Sequence, residues 1–166
     1  MTAILSKVLD LSDAERVRCY DDDIVLFNRL EVITLERLPW KLGRPLFAVC
    51  LQGSATVKVD LQEYKISENE LVTLMPDSII HGYDFSDDFK GVMILVSRKV
   101  ADEVLPDITS VLPIIMDFRQ SPVVQLSRDE ARELNEFHEF IWRKMLVVRG
   151  EYGKKELNSL LLGIFY

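Results

Sequence analysis

Reactive side chains are scarce in this chain, and their placement limits its chemistry. It has two histidines, His81 and His138, and two cysteines, Cys19 and Cys50. His81 and Tyr83 lie two residues apart, a spacing that puts both on one face of a strand. An imidazole and a phenol so placed could work as general base and acid, or simply offer two hydrogen-bonding points. Cys50 falls within the apolar run Leu46–Leu51, where a buried cysteine is ordinarily inert packing. A Cys50–His81 pair is a further layout, but the sequence marks no oxyanion site and no third orienting group. Asp21-Asp22-Asp23 reads as a solvated loop, because a cation site needs more oxygen ligands in register. Phosphate-cradling glycine loops, G-x-S-x-G elbows and H-E-x-x-H helices are missing.

The elements that must carry these residues change character near residue 97. Before it, short apolar runs recur at Ile24–Leu30, Val32–Leu38, Leu46–Leu51, Ala55–Val59, Leu71–Met75, Ile79–Phe85 and Val92–Val96. Turn formers separate them, among them Gly43-Arg44-Pro45, Gln52-Gly53-Ser54 and Pro76-Asp77-Ser78, a pattern of successive strands in a sandwich or small barrel. After residue 97 the period lengthens. Ser97 starts a short helix that Pro106 stops, and Ile114–Leu126 reads as an extended connection. Ser127-Arg128-Asp129-Glu130 has capping-box spacing. Behind it, Ala131, Leu134, Phe137, Ile141, Met145 and Val148 form one apolar face of a helix, which Gly150 stops. A second helix follows from Lys154. This divides the chain into a barrel over residues 1–97 with an arm over 1–20, a short helix and connector over 98–126, and a helical hairpin over 127–166. The ending Gly163-Ile164-Phe165-Tyr166 lacks a helix stop signal and is expected to be cut from a longer protein.

Composition removes several classes. Twenty Lys+Arg against 27 Asp+Glu give a formal charge of −7, the wrong balance for a domain that grips phosphates by itself. With 48% hydrophobic and 28% charged residues, the chain is not a disordered type. No run approaches the ~20 apolar residues that span a bilayer, and Met1–Lys7 lacks a secretory pattern. A cytoplasmic location is expected.

The stretch Leu46–Tyr83 resembles the cupin superfamily, with its motifs G-x5-H-x-H-x3/4-E-x6-G and G-x5-P-x-G-x2-H. Gly53 matches the glycine closing the first motif, which places Leu46 at the glutamate, Trp40 and Leu42 at the two histidines, and Thr34 at the opening glycine. In the second, Pro76 and His81 match, Ser78 replaces the glycine, and Glu70 stands at the opening one. The resemblance implies a mainly β fold with C-terminal α structure: a double-stranded β-helix, or jelly roll, followed by a helical hairpin. It also implies an emptied metal centre, since His81 alone does not hold a divalent ion that typically takes three or four protein ligands. No cofactor is expected.

If His81 faces inward, alternation takes Ile79 and Tyr83 inward with it, and Leu46, Ala48 and Cys50 on a neighbouring strand. With Trp40, Leu42 and Arg44 they would line an apolar chamber with a few polar points, suited to a small organic molecule. A barrel filled by its own side chains is the equal alternative. A metal-free cupin barrel followed by paired helices resembles the N-terminal sensor and dimerisation domain of AraC-type transcription regulators. The stretches Phe47-Ala48-Val49-Cys50-Leu51-Gln52-Gly53, Pro76 to His81 and Val124-Gln125-Leu126-Ser127 carry the likeness. In that family the barrel takes an effector, the helices pair two subunits, and a separate helix-turn-helix domain, absent from this chain, binds DNA.

Pairing has its own argument. Leu134, Phe137, His138, Ile141, Met145 and Val148 approach the spacing of a coiled-coil seam. Phe140, Trp142, Leu146 and Val147 add apolar surface on other sides, and a helix with two apolar faces takes two partners. A symmetric homodimer through residues 127–149 is therefore expected. The competing expectation is a metal-independent isomerase or epimerase, with His81 as base and Tyr83 as acid.

Overall fold

A computed structural model describes residues 17–20, 24–27, 39–104 and 120–145, with the single positions 117, 155 and 159. The strands are β1 (Val17–Tyr20), β2 (Ile24–Phe27), β3 (Trp40–Lys41), β4 (Leu46–Gln52), β5 (Ala55–Val59), β6 (Gln62–Ile66), β7 (Glu70–Leu74), β8 (Ile79–Phe85), β9 (Lys90–Val96) and β10 (Val123–Gln125). Two helices complete the described structure, α1 (Arg98–Val104) and α2 (Arg128–Lys144). The strands form two antiparallel sheets, ordered β1-β2-β9-β4-β7-β10 and β3-β8-β5-β6. This is a two-sheet antiparallel jelly roll, mainly β with a C-terminal helix.

Alternation builds the interior. On β4, Leu46 and Cys50 point into the core with Val25, Phe27, Val72, Leu74, Met93 and Leu95 of the same sheet. The facing sheet adds Trp40, Ala55, Val59, Ile66 and Ile80. The β4–β5 turn needs glycine. Gly53 has φ 77°, and a Cβ there would stand 2.6 Å from Ser86 Oγ and 2.9 Å from Phe89 Cα. A side chain at this position would therefore push apart the turns that close the barrel end.

Both helix starts follow the sequence signals. The Ser97 hydroxyl accepts from the Val100 amide at 3.1 Å. Ser127 and Glu130 form a reciprocal capping box, with contacts of 3.1 and 2.9 Å. Within the segment expected to be extended and connecting, Val123–Gln125 form β10, which pairs with β7, whereas Asp117 and Gln120 are helical. Part of the expected arm is β1, bonded along β2. Ser12–Glu15, Val32–Leu38 and the second helix of the hairpin lie outside the described residues, apart from Lys155 and Ser159. Among the described residues, no helix is long and apolar enough to cross a membrane.

Helix α2 lies against the outer face of the six-stranded sheet. Ile141 and Met145 pack with Ile24, Leu26, Ile94, Val96 and Val100, with Phe137 and Trp142 at the margin. Two to three turns earlier, Ala131 and Leu134 pack with Val49 and Val92. Of the expected dimer seam, His138, Ile141 and Met145 are buried within the single chain, while Leu134 and Phe137 are half-buried. Ile141 is fully buried and His138 is 2% exposed within a single chain. Val148 lies outside the described residues. The sheet's outer face is itself apolar and needs a cover, which α2 supplies at roughly 1.5–3 kcal/mol for each large side chain fully buried.

Candidate functional site

Between the sheets lies a cavity of about 110 Å³, partly open to solvent among the described residues. Ala48 helps to create it. It sits mid-sheet between Val72 on β7 and Met93 on β9, and its short side chain leaves room where a larger one would fill the interior. Phe85 and Phe89 stack across 4.4 Å at 6°, and Tyr83 sits 5.2 Å from Phe85, so one wall is a row of rings.

Of the nine residues expected to line a chamber, Trp40, Leu46, Ala48, Cys50 and Tyr83 do border this cavity. Leu42 is fully buried in the surrounding core but does not reach the cavity, and Arg44 and Ile79 are only half-buried, away from it. His81 is exposed. The physical reason is a bulge. Lys58 pairs with Gly82 but Val59 pairs with Ile80, so His81 is skipped in the ladder. The extra residue reverses the alternation, turning Ile80 inward with Tyr83 and Phe85. Asp60 pins this register from the adjoining hairpin. Its amide donates to the Ile79 carbonyl at 2.7 Å and its Oδ1 accepts from the Ile79 amide at 3.1 Å.

The cavity wall is chemically quiet. Burial pushes the Cys50 thiol from 9 up to about 11, and the carboxylates of Glu68, Glu70 and Asp88 push it the same way, against the lowering effect of the Gln52 backbone. The thiol stays protonated at neutral pH and donates to backbone oxygens of Gln52 and Gly53 at 3.5 and 3.6 Å, which makes it a poor nucleophile. With His81 on the opposite face, no Cys50–His81 pair forms. The metal positions of the cupin motif do not fit a metal. Trp40 and Leu46 present carbon to the cavity, Leu42 is buried aside from it, and His81 faces water.

His138 is the buried polar group behind this wall. Its Nε2 lies 3.4 Å from the Met93 carbonyl oxygen, and its ring stacks 6.3 Å from Trp142. Burial lowers its pKa from 6.5 to about 4, although backbone hydrogen bonds to Met93 and Phe27 oppose the shift. Met93 is also a cavity residue, so one backbone unit joins the cavity wall to α2. The spacing that puts His138 beside the apolar stripe of the helix makes it a packing or interface residue, and within the chain it is packed. Phe85, Phe89, Val72 and Leu74 were also missed as lining, although the inward phase of β7 and of β8 beyond the bulge determines most of them.

No protein-family model matches this sequence, and no curated protein matches it. Solved structures resemble this chain in part. ToxT from Vibrio cholerae, bound to (E)-4-(8-methylnaphthalen-1-yl)but-3-enoic acid, is 13% identical with a TM-score of 0.48, over 86% of this chain and 51% of that one. A cupin superfamily protein from Desulfitobacterium hafniense is 15% identical with a TM-score of 0.36, over 49% of this chain and 73% of that one. The EutQ protein of Clostridium difficile is 13% identical with a TM-score of 0.37, over 55% and 77%. This chain spans about half the length of the two ToxT structures it matches, 48% and 51%. These likenesses concern the fold alone.

Proposed function

We propose that this chain is the effector-binding domain of an AraC-type transcription regulator, acting in the cytoplasm without metal or catalysis. The observation that carries the reading is the apolar cavity between the sheets, joined to α2 through Met93 and His138. A ligand that favours one arrangement of this wall shifts the position of α2, whereas equal affinity for both arrangements would shift nothing. The helix passes that change to a DNA-binding domain outside this chain. Two copies would pair through the outward face of α2, where Phe140 is 38% exposed beneath Lys144, since His138, Ile141 and Met145 are buried within the single chain. The isomerase or epimerase alternative required His81 as base inside the barrel, and its outward position removes that support.

The test is a reporter assay with this chain fused to a heterologous DNA-binding module. An apolar effector that calorimetry shows to bind should change reporter output, and Ala48→Leu should abolish the change. Output that ignores a bound effector would refute the regulatory reading.

A further inference from the structure

Resting on the barrel as a ligand site, we infer that its effector is an uncharged, ring-sized hydrophobic molecule, and that the site rejects carboxylates and sugars. Size sets the first limit. An engineered apolar cavity of about 150 Å³ takes up benzene, and this one measures about 110 Å³ with an open side. A single ring fits with slight movement of the wall, and substituents can extend through the mouth.

Wall chemistry sets the second limit. Among the described lining residues there is no lysine, arginine or histidine, and the polar atoms are those of Trp40, Cys50 and Tyr83. A sugar would bury several hydroxyls against carbon, each losing its hydration without replacement. The row of Tyr83, Phe85 and Phe89 rings offers instead the faces and edges that another ring contacts well.

Charge sets the third. The described lining residues bring no cation to the cavity, and the carboxylates of Glu68, Glu70 and Asp88 act on the Cys50 thiol in its wall. A carboxylate entering here loses water, finds no cation and meets like charge. A cation would gain from those carboxylates, but it too would surrender its hydration to an apolar wall.

The experiment is isothermal titration calorimetry on the intact chain with nitrobenzene, benzoate and benzylammonium, which share a ring and differ in charge. Nitrobenzene should bind at least about tenfold more tightly than either ion. Benzoate or benzylammonium binding as tightly as nitrobenzene would overturn the inference and leave the ligand cavity standing. If nitrobenzene and the two ions all fail to bind, the cavity reading falls as well. Methyl resonances of Leu46, Ala48 and Val72 in the native chain should shift with nitrobenzene. Shifts confined to other methyls would also overturn it. Ala48→Leu should abolish nitrobenzene binding, and the methyl map keeps the proposal testable if that variant does not fold.

Discussion

The central strands of the six-stranded sheet, β2, β9 and β4, are packed on both faces, whereas the four-stranded sheet turns one face to water. On β9, Met93 and Leu95 point into the barrel while Val92, Ile94 and Val96 meet the packing under α2, so six consecutive residues from Gly91 are buried. On the other sheet, Lys58, Glu63, Lys65, His81 and Asp84 are exposed between inward residues. A continuous apolar run thus marks a strand buried on both faces, and an alternating one marks a strand with a wet face. The covered sheet also explains the apolar stripe of α2 without a second copy of the chain.

The largest blow to this contrast is Ile141→Glu. A carboxylate forced beneath α2 should cost at least about 3 kcal/mol, read by urea denaturation and independent of protein concentration. A variant that merely dissociates, with monomer stability intact, would make the seam intermolecular. Acid tests the same seam more gently. Because His138 has its pKa lowered from 6.5 to about 4 in the fold, the unfolded chain binds the extra proton between those values. Its contribution is complete above about pH 6.5 and is lost as pH falls toward 4, by about 1.4 kcal/mol per unit at most. His138→Phe should flatten this part of the pH–stability profile, and an unchanged slope would take His138 out of the buried seam.

Smaller effects sharpen the comparison. Ser127→Ala removes one half of the capping box and should cost about 1 kcal/mol in the same denaturation assay. A loss of several kcal/mol would mean that the cap, rather than the packing against the sheet, holds α2. On the wet face, His81→Ala should change stability by less than about 0.5 kcal/mol and leave nitrobenzene affinity unaltered. A lost ligand signal there would put His81 back in the cavity.

How much was readable depends on which rule governed each residue. Leu46, Ala48 and Cys50 followed simple alternation, and β4 is regular through those three, so their inward phase was legible. His81 was not, because the bulge depends on the hairpin turn at Asp60 bonding to Ile79, a contact between residues 19 apart in sequence. Helix α2 announced its start through Ser127 and Glu130, and its stripe through Leu134, Phe137 and Ile141. What the stripe covers was hidden, since an apolar helix face looks alike whether its partner is a sheet or another helix. Strand β10 has three residues and gave no periodic signal, so only its pairing with β7 reveals it.

A hollow lies between the sheets, while Ile141 and Met145 pack against Ile24, Leu26, Ile94 and Val96 beneath α2. Diffraction from crystals under xenon pressure tests this directly, because xenon enters dry apolar voids. Anomalous density should appear beside Ala48, Val72 and Phe89, with none between Ile141 and Ile94. A barrel that takes up no xenon, or xenon found under the helix instead, would contradict it.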